Sequence, residues 1–141
     1  MQMKSHLLIS IATLLAAASV HAADPAPSAT PVLQHALAGI EGKEVVMVTV
    51  TYPPGTASEA HRHDANVFVY VLEGSVVMQV AGDKPVTLTA GQTFYESPTD
   101  IHAVSKNASN TQPAKILAVL VKDVGKPATV PVKEPVKEPV K

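Results

Sequence analysis

The chain has 141 residues, 46% of them hydrophobic but only 4% aromatic, with no Trp, no Cys and a formal net charge of −1. That length holds one domain at most, and the near-neutral charge excludes the electrostatic footprint of a nucleic-acid binder or a polybasic membrane-surface protein. The missing Cys excludes disulfides, thiolate zinc sites and nucleophilic cysteine chemistry.

Residues 1–22 have the form of a cleavable secretory signal: Lys4, an apolar run from Leu7 to Val20, and small residues at Val20 and Ala22 ahead of Ala23. The run is shorter than the ~17–25 residues of a spanning helix, so no membrane span is expected after cleavage. The mature protein is expected to be periplasmic or secreted. Losing Lys4 leaves ten Lys plus Arg against twelve Asp plus Glu, a charge of −2.

Residues 23–41 read as an extended linker, rich in Ala, Pro and Ser at its start; within it only 31–39 could hold a short helix. From there the signals are β. Residues 44–52 are dense in β-branched side chains and stop at Pro53-Pro54-Gly55. Further strands are predicted over 67–72, 75–80, 85–89, 93–96, 101–105 and 115–122, punctuated by Glu73-Gly74, Ala81-Gly82-Asp83, Ala90-Gly91 and the turn at Pro98. Short strands at this spacing indicate a sandwich or a barrel. In residues 125–141 the repeat Pro-Val-Lys-Glu, with Pro131, Pro135 and Pro139, forbids helix and central strand, and a disordered tail is expected.

Of the six histidines, His6 and His21 fall in the signal and His35 in the linker, where a surface role is expected. His61 and His63 form a His-x-His pair, and His102 follows the Pro98 turn. On an extended strand residues i and i+2 share a face about 6.6 Å apart, so two imidazoles there can converge on one ion at ~2.0–2.1 Å. On spacing alone the pair reads equally well as an exposed polar strand end.

The glycines add to this. Gly55 precedes His61 by five intervening residues, ten separate His63 from Gly74, and ten separate Gly91 from His102. These residues resemble the two motifs of the cupin family, as does Tyr70-Val71-Leu72-Glu73-Gly74, and the resemblance covers 42–124. It implies an all-β, cupin-type jelly roll (a double-stranded antiparallel β-helix or barrel) with a metal in its mouth, held by His61, His63, His102 and a first-motif glutamate. The glutamate does not carry over: its position is Val67. Asn66 next to it points to the opposite face. Glu96, ending the strand before the Pro98 turn, is the better candidate, either as a fourth ligand or as the acceptor that orients a ligating imidazole through its N–H, and Glu59, on the same parity as His61 and His63, is the other. Arg62 points away from their shared face.

Imidazole donors suit Zn, Cu, Fe and Ni; without a carboxylate, Mn is disfavoured. Val67, Val69 and Val71 are expected to face the interior, and Phe68, Tyr70 and Leu72 to face outward toward a covering strand or a second copy in a homodimer. A valine-walled pocket with no Arg or Lys cluster suits a small neutral organic ligand or substrate. The functional expectation is an exported metal-binding cupin, dioxygenase-like if it is an enzyme; the alternative is a non-catalytic periplasmic protein that binds a metal or a small ligand. Whether it is an enzyme the sequence leaves open, since no general base, nucleophile or cofactor loop stands beside the histidines.

Overall fold

A computed structural model describes residues 25–132. The signal segment 1–22 and residues 133–141 of the repeat lie outside the described residues. Those described form eleven strands and no helix: β1 (Ser28–Ala36), β2 (Lys43–Tyr52), β3 (Ala57–Ser58), β4 (His61–Arg62), β5 (Asn66–Glu73), β6 (Ser75–Val80), β7 (Val86–Thr89), β8 (Thr93–Glu96), β9 (His102–Asn107), β10 (Ala114–Asp123) and β11 (Val130–Pro131).

Period-two patterning sets which face each strand buries. Along β10, Ala114, Ile116, Ala118 and Leu120 are buried and the residues between them only partly so; along β5, Val67, Val69 and Val71 are buried while Phe68, Tyr70 and Leu72 are exposed, as the alternation predicts. All pairings are antiparallel, in two sheets. One runs β1-β2-β10-β5-β8; the other runs β11-β4-β9-β6-β7, with β3 also on β9. Their inner faces meet over a core that includes Val46, Val67, Val71, Val76, Met78 and Leu120, giving the jelly roll expected from the sequence.

The chain changes sheets between β5 and β6 at Gly74. Its φ is +69°, and a Cβ there would lie 2.5 Å from the Pro113 carbonyl oxygen. A side chain would therefore meet both backbone strain and a collision with backbone.

Two edges depart from expectation. Residues 31–39, read as at most a short helix, lie largely in β1, because the free edge of β2 supplies backbone partners that a helix would have to supply itself. Pro31 is tolerated on that outer edge, next to a register shift between Pro31 and Leu33. At the far end, residues 130–131 pair with β4 as β11, again an edge strand that accommodates proline.

At one end of the first sheet, Lys122 and Glu44 face each other across β10 and β2 and form a buried ion pair. Gln34 donates to the second Glu44 oxygen at 2.8 Å. These hydrogen bonds, first from Lys122 and then from Gln34, hold the Glu44 carboxyl below its ordinary range.

Candidate metal centre

His61 and His63 stand at the end of the second sheet. His61 pairs in register with His102 on β9, which places the two imidazoles on one inner face. The ring centroids of His61 and His63 are 4.8 Å apart and those of His61 and His102 5.1 Å apart. One ligating nitrogen from each of the three lies within 4.8 Å of the other two.

Parity alone would not aim His102 inward. On β9 Ser105 and Asn107 are buried, and by strict alternation a residue three before Ser105 should face out, yet His102 is buried too. A register shift opposite Gln79 and Val80 leaves Ala103 as an extra residue, since Val104 pairs with Gln79 but His102 with Val80. This bulge rotates His102 onto the inner face, a common use of bulges beside functional sites. Phe94 of β8 stacks on its ring at 6.0 Å and 27°.

Directly after His63 the chain turns through Asp64, the one non-glycine residue with positive φ (+47°) among those described. Asp tolerates this left-handed conformation better than most residues, and Arg62 pairs with its carboxylate at 2.9 Å on the outside of the barrel. The turn follows β4 and His63 and leads into β5 with Ala65 before it and Val67 within it both buried.

Two of the three tautomers are determined by what the rings touch. His61 Nδ1–H donates to the Glu59 carbonyl at 2.7 Å, and His63 Nδ1–H donates to the Ala128 carbonyl at 2.6 Å. A carbonyl only accepts, so each Nδ1 carries the proton and each Nε2 presents a lone pair. Burial pushes the His61 imidazole below the ordinary histidine range against the opposing hydrogen bond to Glu59, and His63 and His102 add to the lowering. That favours the neutral, ligating form of the ring.

Glu96 lies beside the cluster that the three histidines form. It is 2% exposed, and its oxygens lie 3.2 Å from His102 Nδ1 and 3.7 Å from His63 Nε2. Yet neither Glu96 oxygen and neither ring nitrogen of His102 makes a hydrogen bond. At 3.2 Å the groups are close enough to bond but are not aligned on one another. Buried polar atoms left this way are costly. A neutral imidazole has one lone pair and one N–H, so a divalent cation would take one nitrogen of His102, and the Glu96 carboxylate beside it can accept from the other nitrogen or donate a lone pair to the ion. The donor set fits a transition metal.

The carboxylate arrives by register. β5 and β8 are neighbours, and Val67 is the residue paired with Glu96. The position where the family pattern expects glutamate and the position that holds one here are thus opposite each other, on the same inner face of adjacent strands. Glu59 is exposed and contributes its backbone carbonyl, and its carboxylate is not part of the cluster.

Beside the histidines lies a pocket of about 540 Å³ between the sheets. Its far wall includes Val48, Val50, Ile116, Ala118 and Leu120, and no Lys or Arg lines it among the described residues. Its main polar feature away from the imidazoles is the buried hydroxyl pair of Tyr52 and Ser105, 2.6 Å apart. The sequence held no signal for this pair, nor for the Ala128 carbonyl.

A family model described as "Cupin domain" matches residues 48–120. No curated protein matches the chain. Among solved structures, a conserved protein with a double-stranded β-helix domain from Klebsiella pneumoniae aligns with TM-score 0.60 at 18% identity, over 76% of this chain and 86% of that one. A protein of Thermus thermophilus aligns with TM-score 0.56 at 26% identity, over 68% and 83%. The DMSP lyase DddQ of Ruegeria pomeroyi aligns with TM-score 0.55 at 21% identity; this chain is covered over 62% and spans 42% of that one.

Proposed function

The chain belongs to the cupin family, and from that premise we propose that it binds one divalent transition metal through His61, His63, His102 and Glu96 and uses it to hold, and as an oxygenase to transform, a small neutral organic molecule. The observation that carries the reading is the convergence of Glu96 and His102 at 3.2 Å with all four of their polar side-chain atoms unpartnered. The Nδ1–H bonds of His61 and His63 leave two Nε2 lone pairs for the same ion.

When bound, the ion supplies a Lewis-acidic and, for Fe or Cu, redox-active centre. The protein's own part is to hold three neutral imidazoles and one carboxylate in fixed orientation, to keep bulk water from Glu96 and His102, and to offer an apolar wall to the ligand. With a carboxylate in the set, the objection to Mn falls away, so Fe, Ni, Zn, Cu and Mn all match the donors. Without Lys or Arg in the lining, a dianionic ligand would lack a counter-charge once the metal is shared, which favours a neutral substrate.

A second reading, a non-catalytic carrier of a metal or small ligand, is favoured by the same lining: apart from the histidines, Glu59 and the Tyr52–Ser105 pair it is nearly free of groups that move protons. Export belongs to the proposal on the strength of residues 1–22. So does a homodimer through the outer face of the first sheet, where Leu33, Met47, Val119, Phe68 and Tyr95 stand in one register row across all five strands. The test is elemental analysis and metal titration of untagged protein, with His102→Ala beside it. We expect near one metal per chain and its loss in a still-folded His102→Ala protein; a wild-type protein that contains no transition metal and takes up none on titration would sink the metal reading. Oxygen consumption with small neutral organic compounds separates the oxygenase from the carrier.

A further inference from the structure

The two histidines of the His-x-His pair are oriented by different means. The Glu59 carbonyl that accepts from His61 lies two residues earlier on the same chain segment, whereas the Ala128 carbonyl that accepts from His63 lies 65 residues away, beyond the last long strand of the barrel. Residues 124–132 carry that carbonyl, and they are attached to the barrel in three places.

At the base, the Lys122 ammonium uses its three donors on the Glu44 carboxylate, the Asp123 carbonyl (3.2 Å) and the Lys126 carbonyl (2.6 Å), so the buried ion pair also pins the start of the segment. Gly125 turns the chain there at φ +77°. In the middle, Ala128 is half-buried and packs against the hydrophobic core. At the tip, β11 pairs Val130 with Arg62 and Pro131 with His61, and Val132 N–H donates to the Ala60 carbonyl at 3.3 Å. Ala128, Thr129 and Pro131 also wall the pocket.

We propose that residues 124–132 are a strap belonging to the metal centre: its Ala128 carbonyl is the positioning group that presents His63 Nε2 to the ion, and its edge pairing with β4 holds the His-x-His segment against the pocket. The strap completes from outside the barrel a ligand set that the barrel alone leaves half oriented. The inference rests on the metal reading above, and it makes its own prediction in metal-free protein.

The test uses the full chain. In wild-type apoprotein, nitrogen-15 NMR of the histidine rings should show His63 as the Nδ1–H tautomer with a slowly exchanging ring proton. In Ala128→Phe, whose side chain cannot pack where Ala128 does and brings no metal ligand to the pocket wall, that proton should exchange fast while His61, held by Glu59, keeps its tautomer. Affinity for Ni(II) measured by titration should fall about ten- to a hundredfold, the usual effect of removing a partner that orients a ligand. Val132→Pro, which removes only the N–H to Ala60 at the tip, should shift both readouts the same way by less and serves if Ala128→Phe does not fold. Finding His63 as the Nε2–H tautomer in wild type overturns the proposal, as does wild-type Ni(II) affinity in a variant whose His63 proton has been freed. Failure of wild-type protein to bind any metal would instead strike the functional reading and leave the tautomer result standing.

Discussion

Replacing Glu96 by Met should make the metal-free protein more stable and shrink the stability that metal adds. Glu96 is 2% exposed, its two oxygens lack hydrogen bonds, and it sits among Val67, Phe94 and His102, so in the absence of metal it is a buried carboxylate without a partner. Leaving a buried polar group unsatisfied costs about 1–3 kcal/mol and more for a charge. Methionine has similar length and no polar group to satisfy, so most of that cost is relieved. For a domain of this size each kcal/mol moves the unfolding midpoint by about 4–8 °C, so a rise of roughly 5–15 °C is expected in chelator. Metal should stabilise the wild type far more than the variant: at a concentration 100 times the wild-type Kd, binding adds about 2.7 kcal/mol, and a variant whose Kd is about a hundredfold weaker gains only about 0.4 kcal/mol. The assay is thermal unfolding followed by circular dichroism at pH 8, above the ordinary histidine range, with EDTA and then with Ni(II) or Zn(II). A Glu96→Met protein that is less stable than wild type in EDTA, and that keeps the wild-type increment with metal, would refute the reasoning and make Glu96 a structural residue.

The carboxylate should also be movable: Glu96→Val alone should lose metal affinity, and Glu96→Val with Val67→Glu should recover much of it in the same titration, because the two residues are register partners on one inner face. Gly74→Ala should destabilise the fold by about 2 kcal/mol or more, through strain at positive φ and the 2.5 Å approach to the Pro113 carbonyl, read from urea unfolding. The pH dependence of the apoprotein should have two limbs. His61 is held below the ordinary histidine value in the fold, so the unfolded chain binds more protons there; the stability it contributes is complete above about pH 6.5 and is lost as the pH falls toward its folded value. Glu44 is held below the carboxylate range by Lys122, so its contribution is complete above about pH 4.5 and is lost below that, as acid titration monitored by circular dichroism would show. A flat profile between pH 7 and 5 would contradict the first limb.

Most of the site was legible in the chain because its parts are local. Period-two alternation over 67–72 places Val67, Val69 and Val71 inward with no knowledge of neighbours, and the structure has them so. The His61 and His63 pair, His102, and the absence of a glutamate at Val67 are likewise properties of short stretches. Turn signals between short strands gave an all-β sandwich or barrel, since each Gly or Pro acts on its own few residues, and the resemblance of the glycine and histidine spacings to the cupin motifs narrowed it to a jelly roll.

What the linear pattern does not contain is which residues of distant strands stand opposite each other. That Glu96 stands beside His102 depends on β8 pairing with β5 so that Glu96 meets Val67, a register set by the packing of both sheets. That His102 points inward depends on the extra residue Ala103, which has no composition signal of its own. Pro131 argued against a strand, correctly for a central one, and Pro31 lay in a segment read as linker, but only the assembled sheets have edges at which their missing N–H groups cost nothing. The sequence by itself determined an all-β chain with three histidines and no motif glutamate; the tertiary structure alone decided that the Glu96 carboxylate stands beside His102 and that a carbonyl from beyond the barrel meets His63, because both reach the histidines through contacts between segments far apart in the chain.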